Sequence, residues 1–117
     1  MITEDYCSFE IAKLLKEKGF NIECNTAYYN GSLIDYTMYG FCEALEFIFA
    51  PTHQMAVKWL RKIYGIDIVI EVSDPSAKDR KYYCVIWKNY DSYILDLFSS
   101  YEECVEAAIK YCLENLI

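Results

Sequence analysis

Six cysteines and one histidine are the most reactive side chains of this chain. A zinc site usually begins with two cysteines a few residues apart, but the closest pair here, Cys104 and Cys112, is eight residues apart. On a helix that spacing corresponds to about 12 Å, whereas a disulfide spans at most about 7 Å between Cα atoms. We therefore predict no metal site and interpret the cysteines as reduced thiols that act as small apolar residues.

The single histidine, His53, raises the question of a cysteine–histidine pair, because a cysteine nucleophile needs a base that forms the thiolate. The cysteines that could approach it in the fold are Cys7, Cys24, Cys42 and Cys84. No motif surrounds any of them, and the sequence leaves their distances to the histidine open. We interpret His53 as an exposed polar residue at a helix start, and we predict no catalytic residues and favour a protein that is not an enzyme.

The densest group of carboxylates comprises Glu102, Glu103 and Glu106. Grouped carboxylates can serve acid–base or metal chemistry. These three lie in the first turns of a predicted helix, where the helix dipole favours negative charge. We attribute the group to that dipole. The four glycines are isolated, so no glycine-rich phosphate loop is present.

Tyrosine is unusually frequent, with 12 residues in a chain that is 17% aromatic. Strand propensity and core filling explain most of them. A sheet that is covered by helices on one face leaves its other face open, and alternation along the strands places some tyrosines there. Tyrosine is enriched at protein interfaces. We therefore predict a binding surface of exposed sheet aromatics that consists of Tyr28, Tyr36, Tyr82, Tyr83 and Tyr93.

Two helices in the first half of the chain are predicted from caps and apolar spacing. The first runs from about Ser8, the cap, to Lys18, and Gly19 then suits the left-handed position that ends a helix. The second begins after its cap, Thr52, and ends at Gly65. Its apolar stripe is formed by Ala56, Trp59, Leu60 and Ile63.

The third helix has the strongest start signal. Ser99 with Glu102, or Ser100 with Glu103, forms a capping box. An apolar stripe then continues for four turns, and the helix is predicted to reach the last residue, Ile117.

The second half of the chain also contains three predicted strands. Residues 66–73 alternate between apolar and polar, which indicates a half-buried strand. Lys81–Lys88 is apolar on both faces and is therefore predicted to be central. After a turn at residues 89–92, Tyr93–Phe98 completes a meander.

The strands of the first half are less regular. Asn30-Gly31 predicts a two-residue hairpin turn, because both residues tolerate positive φ. This turn would join Ile22–Tyr29 to Ser32–Tyr39. A further strand is predicted at Leu45–Phe49.

These elements predict one α+β domain over residues 1–117 in the order α-βββ-α-βββ-α. We expect a mainly antiparallel sheet of about five or six strands with the three helices packed on one face.

Charge and composition limit the classes of partner. The net charge of −7 comes from 18 acidic and 11 basic residues, which disfavours direct nucleic-acid binding. The N-terminal residues are acidic and no apolar run reaches about 18 residues, so neither a secretion signal nor a membrane span is predicted. We expect a cytoplasmic protein, monomeric or homodimeric, that needs no cofactor and contacts a protein partner. The alternative is a small enzyme or ligand-binding domain with a pocket between sheet and helices.

Three segments resemble a known family of small uncharacterised proteins encoded by phages and mobile elements of gut Bacteroidales bacteria. These segments are Phe9–Phe20, Ala50–Lys62 and Tyr101–Leu113. They cover roughly half of the chain, and Ala27–Phe49 departs most from the family. The resemblance implies a bacterial cytoplasmic setting and a mobile-element origin. It implies no activity and no catalytic residue.

Overall fold

The computed structural model describes residues 2–38, 46–76 and 78–117 of the chain. Its helices are α1 (Phe9–Glu17), α2 (His53–Tyr64) and α3 (Tyr101–Tyr111). Its strands are β1 (Thr26–Tyr29), β2 (Ser32–Asp35), β3 (Ile48–Phe49), β4 (Ile66–Val72), β5 (Tyr82–Lys88) and β6 (Asp91–Phe98). A short 3-10 turn (Tyr36–Met38) follows β2, and a π-helical turn (Cys112–Leu116) follows α3.

Helices α1 and α2 begin and end at the residues that the sequence predicts, and α3 begins where predicted. The prediction that α3 continues to Ile117 is wrong, because it ends at Tyr111 and a π-helical turn follows it to Leu116. The side chains of Ser8, Thr52 and Ser100 each accept a hydrogen bond from the backbone N–H three residues further on. Of the two serines that could cap α3, Ser100 is therefore the cap. Gly19 and Gly65 have φ values of +98° and +66°, the left-handed conformation that ends α1 and α2.

The α3 cap gives the first testable prediction. Ser100→Ala removes the acceptor for the N–H of Glu103, which lies 3.1 Å from the serine hydroxyl. We expect the free energy of unfolding to fall by about 1 kcal/mol, measured by urea denaturation. Ser99→Ala is the control, because Ser99 does not cap the helix, and an equal loss in both variants would contradict this assignment.

The first sheet has the antiparallel order β2-β1-β3. Its hairpin turn is at Asn30-Gly31 as predicted, with φ values of +51° and +80°. The strands are shorter than predicted, because the chain enters the 3-10 turn at Tyr36 and β3 pairs with β1 only at Ala27 and Tyr28. Of the predicted strand Leu45–Phe49, only Ile48 and Phe49 form a strand; Glu46 and Phe47 do not, and Leu45 lies outside the described residues.

The second sheet is the predicted meander in the order β4-β5-β6, with β5 in the centre. The turn is tighter than predicted. Only Asn89 and Tyr90 form it, because Asp91 and Ser92 already pair with Lys88 and Trp87. As a result β6 begins two residues before the predicted start at Tyr93.

The α+β class is confirmed, but the prediction of a single sheet of five or six strands is wrong. The described strands form two separate antiparallel sheets of three strands each. Strand β3 has two residues, Ile48 and Phe49, and α1 packs beside it. Because β3 is the last strand in the order β2-β1-β3, its outer edge has no paired strand among the residues described. The predicted order and strand count are thus confirmed in part, and α2 lies between the two sheets in sequence.

The core lies between one face of the second sheet and helices α2 and α3. Ile66, Cys84 and Ile86 of the sheet are fully buried there with Leu60 and Ile109. Helix α1 completes this core through its buried face, and contacts α3. The starts of α1 and α2 consequently lie beside the second turn of α3, where Glu106 contacts both Ser8 and His53, and this arrangement builds the candidate site.

Ile63 differs from the sequence prediction. It was expected in the apolar stripe of α2, yet its side chain is 61% exposed. In this last turn of the helix the ring of Tyr64 packs against Trp59 instead, with 5.3 Å between ring centroids.

Burial of the cysteines agrees with their interpretation as small apolar residues. Cys7, Cys84, Cys104 and Cys112 are fully buried, and Cys24 is half-buried. Burial raises the pKa of Cys104 and of Cys112 to about 12, so both thiols are protonated at neutral pH. Cys42 lies outside the described residues. None of the described helices is long and apolar enough to cross a membrane.

Candidate functional site

Three side chains that are remote in sequence meet where the helices begin. Cys7 precedes α1, His53 is the first residue of α2, and Glu106 lies in the second turn of α3. The sulfur of Cys7, one ring nitrogen of His53 and one carboxylate oxygen of Glu106 all lie within 4.8 Å of one another. We call this group the Cys–His–Glu cluster.

Backbone hydrogen bonds hold the cluster in place. The N–H of Cys7 donates to the carbonyl of Pro51 at 2.9 Å, and the N–H of His53 donates to the carbonyl of Asp5 at 2.9 Å. These two bonds join the segment before α1 to the segment before α2. The hydroxyl of Tyr28 also donates to the carbonyl of Cys7, at 2.8 Å, which adds the first sheet to the same support.

Glu106 joins α3 to both other helices. Its Oε2 lies 2.6 Å from Nε2 of His53, and its Oε1 accepts the N–H of Ser8 at 3.1 Å. Burial alone would raise the pKa of this carboxyl, but the hydrogen bonds from His53 and Ser8 outweigh it and hold the pKa below the usual range. Glu106 is therefore a carboxylate at neutral pH.

Two sequence interpretations are corrected at this point. The side chain of His53 is 12% exposed and that of Glu106 is 27% exposed, so His53 is not the exposed polar residue that its place at a helix start predicts. The helix dipole does not explain Glu106 either. Only Glu102 and Glu103 lie in the first turn of α3, and the dipole effect falls off within that turn.

The structure also shows which of the described cysteines lies near His53. Among the described cysteines, Cys7 is the one in the cluster with His53. Its thiol is fully buried, and burial, followed by the charge of Glu106, raises its pKa far above the usual value. A nucleophile needs an accessible thiolate. Cys7 therefore lacks the properties of a catalytic cysteine in this arrangement.

A cavity of about 510 Å³ lies beside the cluster. Its wall is formed by α2, β4, the start of α3 and the N-terminal residues, and His53 is part of it. Val57, Ile68 and Ile70 supply apolar surface, and Arg61 supplies a positive charge. This is the pocket between sheet and helices that the alternative function requires.

The five tyrosines of the predicted binding surface do not form one surface. Tyr82 and Tyr93 lie on the covered face of the second sheet, where their rings contact Tyr101 and Tyr111 of α3. Tyr83 lies on the opposite face, where its hydroxyl donates to Glu71 at 2.8 Å.

The other two tyrosines belong to the first sheet region. The ring of Tyr28 packs on Phe9, and the ring of Tyr36 packs on Phe47 and Phe49. All five side chains are half-buried. The five residues therefore lie in three places: the covered face of the second sheet, its open face, and the region of the first sheet. Most of their ring contacts are packing within the protein.

The open face of the second sheet instead carries an apolar row that sequence reasoning missed. Val69, Val85 and Ile94 are directly opposite one another on the three strands. Ile94 is 64% exposed, and Trp87 on the same face is 47% exposed. We call these four residues the open-face patch. The alternation of β4 indicates such a face, but the register that aligns the row is visible only in the structure.

Comparisons with known proteins add no functional information to the cavity beside the Cys–His–Glu cluster or to the open-face patch. The chain matches no protein-family model, no curated protein and no solved structure.

Proposed function

We propose that the protein is a non-catalytic interaction module that binds a partner protein through the open-face patch. The observation that carries this proposal is the aligned apolar row of Val69, Val85 and Ile94 beside Trp87, on a sheet face where Ile94 and Trp87 remain largely exposed. Contiguous exposed apolar surface marks interaction sites on soluble proteins. Trp is also among the residues that contribute most to binding energy at interfaces.

Charge indicates the chemistry of the partner. Asp67 and Glu71 flank Val69 on β4 and are both exposed, and the chain as a whole carries a net charge of −7. A partner with lysine or arginine around an apolar centre complements this face and is attracted to it at long range. Nucleic acid does not complement this face, since Asp67 and Glu71 repel its phosphates.

The charges also argue against a second copy of the chain as the occupant. In a two-fold dimer the same patch meets itself. Asp67 and Glu71 of one copy would then approach the same acids of the other, and like charges across an interface are unfavourable. We therefore propose a monomer that binds a different, basic protein.

The resemblance to phage and mobile-element proteins of gut Bacteroidales implies where the protein acts. We propose that it is a cytoplasmic accessory factor that binds a bacterial protein. Proteins that bind nucleic acid commonly have basic surfaces, so such a protein is a suitable class of target.

The test is affinity capture from a Bacteroidales lysate at low salt, with an isoleucine pair as matched variants. Ile94→Ser removes apolar surface from the open-face patch, and Ile63→Ser removes it from α2 at nearly equal exposure, 64% against 61%. We expect the captured protein to be lost with Ile94→Ser, retained with Ile63→Ser, and released as salt is raised. Equal capture by both variants, or capture that is insensitive to salt, would contradict the proposal.

A second candidate function, ligand binding in the cavity beside His53, is favoured by the cavity volume of about 510 Å³. That volume lies within the range of small-molecule pockets. Adding Val57→Trp to the same experiment tests whether the captured protein uses the cavity, since this change fills the cavity and leaves the open-face patch intact. If Val57→Trp abolishes capture and Ile94→Ser does not, the partner binds at the cavity and not at the open-face patch.

A further inference from the structure

We propose that the Cys–His–Glu cluster is a binding site for a single zinc ion. This inference is independent of the interaction function proposed above, because the cluster and the open-face patch are formed by different residues. The cluster lacks the usual sign of a zinc site, which is two cysteines close in sequence. The ligands come instead from the residue before α1, the first residue of α2 and the second turn of α3.

The donor set matches zinc. Zn²⁺ is bound in proteins by cysteine sulfur, histidine nitrogen and carboxylate oxygen, and Cys7, His53 and Glu106 offer one of each. Magnesium and calcium prefer oxygen ligands alone, so a thiol and an imidazole at the same point disfavour them.

The distances are those of a site that needs a small adjustment. In a tetrahedral zinc site the bond lengths of about 2.0 to 2.3 Å place neighbouring ligand atoms roughly 3.3 to 3.8 Å apart. The three donor atoms here lie within 4.8 Å of one another, and the closest two, Nε2 of His53 and Oε2 of Glu106, are 2.6 Å apart. Zinc binding therefore replaces the hydrogen bond between His53 and Glu106 and moves its two atoms apart to the spacing of zinc ligands.

The protonation of Cys7 is compatible with this site. A thiol that coordinates zinc loses its proton to solvent, and the bound cation then neutralises both the thiolate and the nearby carboxylate. A buried thiol beside a half-buried carboxylate is an unfavourable place for a free thiolate. A divalent cation suits the same place, because its charge offsets that of both groups.

The surroundings of the cluster supply rigidity and access. The hydrogen bonds of Cys7 to Pro51 and of His53 to Asp5 fix two of the ligands through their own backbone. His53 forms part of the cavity wall, and Glu106 is 27% exposed. An ion can thus enter from the cavity side, and the fourth coordination position is left for water, as in zinc sites with three protein ligands.

The test uses Co²⁺ as a spectroscopic substitute for zinc, together with Zn²⁺ itself. Purified chain stripped with a chelator is titrated with Co²⁺, and a sulfur-to-cobalt charge-transfer band is expected at one equivalent and disappears on addition of Zn²⁺. Cys7→Ser should abolish the band. Cys104→Ser, which changes another fully buried thiol on α3, should retain it.

Thermal unfolding with Zn²⁺ covers the case in which Cys7→Ser does not fold. Excess Zn²⁺ should raise the melting temperature of the wild type by several degrees, because a ligand that binds the folded state stabilises it. His53→Gln, which retains the thiol, should weaken zinc binding at least tenfold. Absence of a cobalt band in the wild type, a band that persists in Cys7→Ser, or equal zinc affinity in His53→Gln would each overturn the proposal.

Discussion

Ile86→Ala is expected to lower the free energy of unfolding by about 2 to 5 kcal/mol, whereas Ile94→Ala changes it by no more than about 0.5 kcal/mol. Both residues belong to the second sheet, but they face opposite sides. Ile86 is fully buried against α2 and α3, and Ile94 is 64% exposed on the open face. Truncation of Ile86 creates a cavity and removes buried apolar surface. Truncation of Ile94 creates no cavity and removes little buried surface.

Urea denaturation of the two variants against wild type measures this difference. The comparison is matched, because each variant loses the same three carbon atoms from the same sheet. It also bears on the proposed interaction surface. If Ile94→Ala were as destabilising as Ile86→Ala, the open face would be covered in the folded protein, and the open-face patch could not be free to bind a partner.

The local features of this fold were predictable from the sequence, because each depends on a few neighbouring residues. Ser8 and Thr52 are caps, Gly65 requires a left-handed conformation, and Asn30-Gly31 suits a two-residue hairpin. The central position of β5 followed from its apolar residues on both faces. All of these features appear where the sequence places them.

The division into two sheets was not predictable, because it depends on packing between segments that are far apart. Six strands joined by hairpins suggest a single sheet unless the length of each strand is known. Strand β3 has only two residues and contacts α1. The apolar–polar pattern of residues 45–49 predicts neither the short length of β3 nor its contact with α1.

The Cys–His–Glu cluster was missed for a related reason. Cys7 and Glu106 lie 46 residues before and 53 residues after His53 in the sequence, so no spacing motif links them. One signal was available. Glu106 lies beyond the first turn of α3, and a carboxylate there needs a partner that the helix dipole does not supply.

The second prediction with a large expected effect concerns that carboxylate. Glu106→Gln should lower the free energy of unfolding by about 1.5 to 3 kcal/mol, the range for hydrogen bonds to charged groups. Gln retains the shape of the side chain but not the charge that His53 and the N–H of Ser8 contact. Glu102→Gln is the matched control, since Glu102 is exposed in the first turn of the same helix, and should change stability by no more than about 0.5 kcal/mol.

Urea denaturation in the presence of a chelator isolates this effect from any bound metal, and its pH dependence tests the cause. The pKa of Glu106 in the folded protein lies below its usual value. Its contribution is therefore present at neutral pH and is lost as the pH falls through the folded pKa. The stability difference between wild type and Glu106→Gln should shrink in acid. A difference that is constant with pH would mean that the shape of Glu106, and not its charge, joins the three helices.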